Sequence, residues 1–366
     1  MSTSTATSTA RSTVRSASRS TSGPVNGPAG GPVKAEHHTL RAALAEPFSS
    51  NTGLTTHVHQ QVLVLHWEGL TGYGTALAAR PGELDACLPL LTDASPLALA
   101  RTLGRLHAAG IRPAVVSAVD MALHDLLGKR AGLPLHALLG LAGQPLAPTA
   151  LSIGAGSDEE LIRRGRALAH WPVLKLKLTP EDDGSRAGVL REVYDGRIWV
   201  DGNGSWTPER AVEVARELDR HGVELLEQPV PPGPADRLRH VHENAPLPVV
   251  ADEDCTGPED VLRLRGCASA VNIKLTKCGG LRRAHETATL ARRAGLKVML
   301  GCKTESALGV TAMAQLAPLA DHLDLDGHVD LTDDPFRGLR IDQGTLLMPD
   351  GPGLGVTATD TTDGES

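Results

Sequence analysis

The chain has 366 residues, 41 % of them hydrophobic, and a formal net charge of −7, which argues against a broad nucleic-acid-binding surface. Its five cysteines (Cys87, Cys255, Cys267, Cys278 and Cys302) are odd in number and form no C-x-x-C pair, so a reducing, cytoplasmic setting is expected and no zinc site is signalled. No run of about 18 apolar residues is present, so no membrane span is expected.

Residues 1–36 are mostly Ser, Thr, Arg, Gly, Pro and Ala, and the first acidic residue is Glu36. Such a segment has too little to bury to offset its ordering entropy, which predicts a disordered tail. Its Arg- and Ser-rich character is also similar to an organellar transit peptide. Residues 37–148 read as a small α+β domain. HTLRAALAE and HVHQQVLVLHWEG have strand character, the second ending at a turn region around Gly69–Gly74. The polar stretch 48–57 reads as a mobile loop. Two helical stretches follow, PLALARTLGRLHAAG and PAVVSAVDMALHDLLGKRAG, the latter with Val115, Ala118, Met121, Ala122 and Leu126 on one apolar face.

From residue 149 the pattern changes. TALSIG is followed by short apolar strands that close on Lys177 (VLKLK), Asp201 (RIWVD), Glu227 (ELLEQ), Asp252 (PVVAD), Lys274 (AVNIK), Gly301 (KVMLG) and Asp326 (HLDLD). The first five closing residues are separated by 24, 26, 25 and 22 positions, about one strand–helix unit each. Helical stretches lie between them, so 149–326 is expected to form a (β/α)7β barrel, a modified TIM barrel lacking its last helix. The remainder, 327–356, is expected to return to the first domain, and 357–366 to fray.

In such barrels the chemistry sits at the C-terminal ends of several strands. Asp201, Glu227 and Asp252 end three consecutive strands and can converge on one point; three hard oxygen donors suit Mg2+. Each could instead cap the next helix, a reading weakened by three of them in a row at barrel spacing. In LKLKL, period-two alternation puts Lys175 and Lys177 on the face opposite Leu174, Leu176 and Leu178. The leucines belong against the helices, so the lysines point into the barrel. Lys274 stands across from them. A divalent cation between two opposed amines suits abstraction of an α-proton from a carboxylate substrate through an enediolate, with return from the other face. Asp324 and Asp326 share a face of the last strand and could bind a substrate ammonium.

KLK (175–177), VDGN (200–203), EQP (227–229), ADE (251–253) and NIKLTKCGG (272–280) together resemble the enolase superfamily, in its muconate lactonizing subgroup, over roughly residues 40–356. The resemblance implies an N-terminal capping domain on the barrel and Mg2+ on Asp201, Glu227 and Asp252. It also implies Lys177 and Lys274 as the acid–base pair, Lys175 as an auxiliary lysine, and commonly a homo-oligomer. Asp324-x-Asp326 is similar to the pair that holds the substrate's ammonium in dipeptide epimerases, and Glu305 matches a recurring glutamate of their seventh strand. A small-molecule dipeptide is thus the expected substrate. Other activities of the subgroup (cycloisomerase, o-succinylbenzoate synthase, N-acylamino acid racemase) share the lysines and carboxylates but need no ammonium site. A non-catalytic scaffold would have no use for buried amines. Two departures stand out. Gly53 lies where Ala-Glu epimerases carry a substrate-binding arginine, and Lys303 replaces an apolar pocket residue. Lys303 is expected to bind substrate by facing its side chain, favouring an acidic or polar one.

Overall fold

The computed structural model describes residues 31–50 and 53–359. The first domain opens with an antiparallel sheet of β1 (Lys34–Ser50), β2 (Gly53–Trp67) and β3 (Leu70–Leu77), in that order. Its two long helices are α1 (Leu99–Ala108) and α2 (Pro113–Ala131). Three sequence expectations are corrected here. β1 begins at Lys34, inside the stretch assigned to the tail, with Val33 buried just before it; residues 1–30 lie outside the described residues. The 48–57 stretch is not a loop: Phe48 pairs with Thr55 and Ser49 with Leu54, extending the β1–β2 hairpin past an irregularity between Ala43 and Phe48. Residues 51 and 52 lie outside the described residues.

The third correction is β3 itself. The turn occupies only Glu68 and Gly69, both with positive φ (49° and 79°), the two-residue geometry that matches strand twist. Gly72 and Gly74, read as turn residues, lie within β3 because α2 packs there. A Cβ on Gly74 would meet the Ala118 carbonyl and one on Gly72 the Ala122 carbonyl. Accordingly α2 is buried nearly all round, not on one face: Ser117, Asp120, His124 and Asp125 are buried along with the apolar positions.

The second domain is an eight-stranded parallel sheet in sequential order: β4 (Leu151–Ile153), β5 (Val173–Lys177), β6 (Arg197–Asp201), β7 (Val223–Glu227), β8 (Val249–Ala251), β9 (Ala270–Ile273), β10 (Lys297–Gly301) and β11 (His322–Asp324). Thr149 bridges Leu323, and Ala150 N donates to the Leu323 carbonyl at 2.8 Å, closing the first strand onto the last. The helices between are α3 (Asp158–Ala167), α4 (Ser185–Arg191), α5 (Pro208–Arg220), α6 (Ala235–Asn244), α7 (Pro258–Leu264), α8 (Leu281–Arg293) and α9 (Ala307–Ala314). Their starts follow from local chemistry. Ser157 accepts from Glu160 N at α3, and Thr207 does the same from Arg210 N at α5, with Pro208 in the first turn. Leu174, Leu176 and Leu178 join the core between sheet and helices, whereas Val173, Trp199, Leu225, Val250, Ala270 and Met299 fill the barrel below the site.

The C-terminal segment ties the domains together. Leu354 N donates to Asp125 Oδ1 at 2.9 Å, Gly353 bridges Pro134, and the Phe336 ring meets Tyr73 edge-on. Thr357 and Ala358, assigned to a frayed end, pair with Arg337 and Phe336. Residues 360–366 lie outside the described residues. Among the described residues the five cysteines are free and buried, and no helix is long and apolar enough to cross a membrane.

Candidate active site

A cleft of ≈ 420 Å³ opens over the C-terminal ends of the barrel strands. Lys177, Lys274, Asp324, Asp326 and Lys303 line its floor and wall, and Leu44, Phe48, Thr55 and His57 of the β1–β2 hairpin overhang it. Period-two alternation on β5 sends Lys175 and Lys177 inward, as the sequence pattern requires. Lys175 is fully buried, its Nζ 2.6 Å from Asp324 Oδ2, 2.7 Å from Glu227 Oε2 and 3.3 Å from Asp201 Oδ2. One step nearer the cleft, Lys177 Nζ donates to Asp201 Oδ2 at 2.5 Å. From the opposite side Lys274 Nζ donates to Asp252 Oδ2 at 2.6 Å. The structure therefore brings Lys175, Lys177 and Lys274 against Asp201, Glu227 and Asp252, a largely buried cluster at the strand ends.

Neighbours that spacing did not single out hold this cluster in place. Lys277, from the one-turn helix after β9, donates to Asp252 Oδ1 and to the Asp252 and Asn272 carbonyls. Asn272 Nδ2 donates to Glu227 Oε1 at 2.7 Å, and a Cβ on Gly301 would press on the Asn272 amide. Gln228 takes a left-handed backbone (φ 33°) and accepts from Asp252 N at 2.9 Å. Asn203 N donates to Asp201 Oδ1 at 2.9 Å. The EQP, VDGN and NIKLTK stretches already carried these residues. The roles of Asn272, Lys277 and Gln228 were hidden because each reaches a residue of another strand. Asp254, beside Asp252, turns away to Gln228 and Gly233.

Burial and charge oppose each other throughout. Burial works to raise the Asp201 carboxyl, but Lys177 and Lys175 outweigh it and hold it low. Asp252 is likewise brought well below its ordinary value, Lys274 and Lys277 overcoming burial. Glu227 goes the other way: burial raises it, Lys175 only partly opposes this, and Asp201 and Asp252 add to it. Burial disfavours the Lys274 ammonium, yet Asp252 and Glu227 hold its proton on. Asp326 is pushed up to about 6 by burial and by Asp324, while Ser152 N donates to its Oδ2 at 2.6 Å.

The donor set suits a hard divalent cation: three buried carboxylates from consecutive strands, without Cys or His. Glu227 Oε2 accepts no hydrogen bond of good geometry despite its nearness to Lys175. Each carboxylate also carries an ammonium. Among the described residues no three His, Cys, Asp or Glu side chains stand together as a ready-made metal site.

Fold and site together define an α/β-barrel protein with opposed lysines on a carboxylate cluster under a capping domain. The chain belongs to the mandelate racemase/muconate lactonizing enzyme family. Residues 38–140 match that family's N-terminal domain, and residues 158–362 match the enolase C-terminal domain-like family. It is 33 % identical over 303 residues to an L-Ala-D/L-Glu epimerase of Bacteroides thetaiotaomicron, covering 80 % of this chain and 79 % of that protein. It is 38 % identical to an L-Lys-D/L-Arg epimerase of Methylococcus capsulatus, covering 80 % and 89 %. Its fold superposes with a TM-score of 0.84 and 27 % identity on a dipeptide epimerase from Enterococcus faecalis solved with Mg and L-Leu-L-Tyr, over 89 % of this chain and 99 % of that one.

Proposed function

We propose that the protein epimerises a dipeptide at an α-carbon by moving one proton between two lysines. The observation that carries this reading is the opposition of Lys177 and Lys274, both lining the cleft and each set on a carboxylate from the strand beside it. The protein is an isomerase acting on amino acid derivatives, as its relatives are, and epimerases among them take acidic, basic and apolar dipeptides.

Asp201, Glu227 and Asp252 would hold Mg2+, which when bound would draw a substrate carboxylate to the floor of the cleft and offset charge developing there. Lys177 and Lys274 would have to give up Asp201 and Asp252 to it. Freed of its carboxylate, one lysine takes the α-proton from one face; the other, still charged, delivers a proton to the opposite face. Lys175 stays buried and charged and favours the ionised form of the carboxylates around it. Asp324 and Asp326, beyond Lys175, receive the peptide's N-terminal ammonium.

The test is α-proton exchange in D2O over a set of L,L-dipeptides, followed by mass spectrometry and chiral analysis, with Mg2+ and again with EDTA. Deuterium uptake with loss of chirality, abolished by EDTA and restored by Mg2+, is the expected result. Exchange of N-acylamino acids with none of the dipeptides would replace this reading by the racemase of the same family.

A further inference from the structure

We infer that Lys303 selects dipeptides whose first, N-terminal residue is acidic, an inference that rests on the dipeptide reading above. The argument is one of position. β10 and β11 are in parallel register with Gly301 opposite Asp324. Two residues on along each strand direction stand Lys303 and Asp326, so Lys303 sits level with the proposed ammonium anchor, not with the proton-transfer lysines.

Contacts across this strand pair fix that level. Cys302 N donates to the Asp324 carbonyl at 3.1 Å, Gly327 N donates to Cys302 Sγ at 3.2 Å, and Glu305 N donates to the Gly327 carbonyl at 3.1 Å. A Cβ on Gly327 would strike the Lys303 carbonyl, so the two loops touch directly. Lys177 and Lys274, on β5 and after β9, flank the carbon that loses its proton. A peptide anchored by its ammonium at Asp324 and Asp326 thus presents its first side chain, not its second, to the wall that carries Lys303.

Lys303 is exposed in the cleft, and among the described residues no carboxylate lies within ion-pair distance of it. The other cleft lysines, Lys177 and Lys274, are each committed to an aspartate. Three acids are the local competitors for its charge: Asp326, level with it, Glu305 and Asp330. Glu305 is buried behind it and spends one oxygen on Lys303 N at 3.3 Å, and Asp330 lines the same wall. An unpaired ammonium facing a bound side chain rewards a carboxylate and penalises a second ammonium. Neither Gly53 nor any other described residue of the β1–β2 hairpin that lines the cleft carries an arginine to serve a carboxylate on the second residue.

The experiment compares kcat/KM for L-Glu-L-Ala, L-Ala-L-Glu, L-Ala-L-Ala and L-Lys-L-Ala with Mg2+, in the wild type, Lys303→Met and Lys303→Glu. The wild type is expected to prefer L-Glu-L-Ala. Lys303→Met should lower the ratio of kcat/KM for L-Glu-L-Ala to that for L-Ala-L-Ala about 10- to 100-fold, the worth of one charge-assisted contact. Lys303→Glu should turn the preference towards L-Lys-L-Ala. Turnover of L-Ala-L-Ala with no preference for an acidic first residue, or a ranking unchanged in Lys303→Met, overturns this inference and leaves the epimerase reading standing. Exchange from none of the dipeptides overturns both.

Discussion

The ammonium of Lys175 lies 2.6 Å from Asp324 Oδ2, linking β5 to β11 on either side of β4, where the barrel closes. The same charge stands within 3.3 Å of Asp201 and Glu227. One buried lysine therefore connects the carboxylates proposed for the cation with the aspartate proposed for the substrate's ammonium. Burial opposes its charge, and Asp324, Glu227 and Asp201 together hold it well above the usual lysine range.

Replacing it strands buried carboxylates. Lys175→Met should cost about 3–5 kcal/mol of stability, the penalty for removing one partner of a buried charge pair. Urea unfolding at pH 8 and pH 5 checks this. The loss should be smaller at pH 5, where the stranded acids can neutralise by taking up protons.

Lys177→Ala should slow epimerisation in both directions about a hundred- to ten-thousandfold, the usual contribution of a positioned acid or base. Deuterium wash-in should survive for one epimer only, through Lys274, and Lys274→Ala should show the mirror-image pattern. Full epimerase activity in either variant would reject the two-lysine assignment.

Asp326→Asn is a cleaner probe of the ammonium site than Asp324→Asn, because Asp324 also holds Lys175. It keeps an acceptor for Ser152 N but loses the charge. KM for a dipeptide should rise about 10- to 100-fold, whereas KM for an N-acylamino acid should change little. Steady-state kinetics on both substrate types distinguish these outcomes.

Glu305 is pushed up to about 7 by burial, against the smaller pull of Lys303 N and of nearby lysine charge. A buried acid with a raised value binds more protons folded than unfolded. Its stabilising contribution is therefore complete below about 4.5 and is lost as pH rises through about 7. Glu305→Gln should remove about 1–3 kcal/mol of that dependence. Tm measured from pH 4.5 to 8 should fall with rising pH more steeply in the wild type than in the variant.

The barrel was legible because its signal is local and repeated. Strand-end residues recur at one strand–helix interval, and alternation within LKLKL decides which side chains enter the barrel. That placed Lys175, Lys177, Asp201, Glu227, Asp252 and Lys274 without knowledge of any contact. β3 was misread for a physical reason: Gly72 and Gly74 look like turn residues, but they are glycines because the backbone of α2 lies against them. The 48–57 stretch looked like a loop because Ser, Asn, Thr and Gly dominate it and its two apolar residues, Phe48 and Leu54, set no alternation.

The sequence by itself determined which residues reach the mouth of the barrel, since side-chain direction along a strand depends on neighbours two residues away. Only the tertiary structure decided what each one meets there. Lys277 and Asn272 grip carboxylates of other strands, Lys175 chooses Asp324 across the barrel seam, and the loops after β10 and β11 touch at Lys303 and Gly327. These pairings depend on distances between strands far apart in the chain, where electrostatic attraction competes with the loss of solvation, and no local pattern records the outcome.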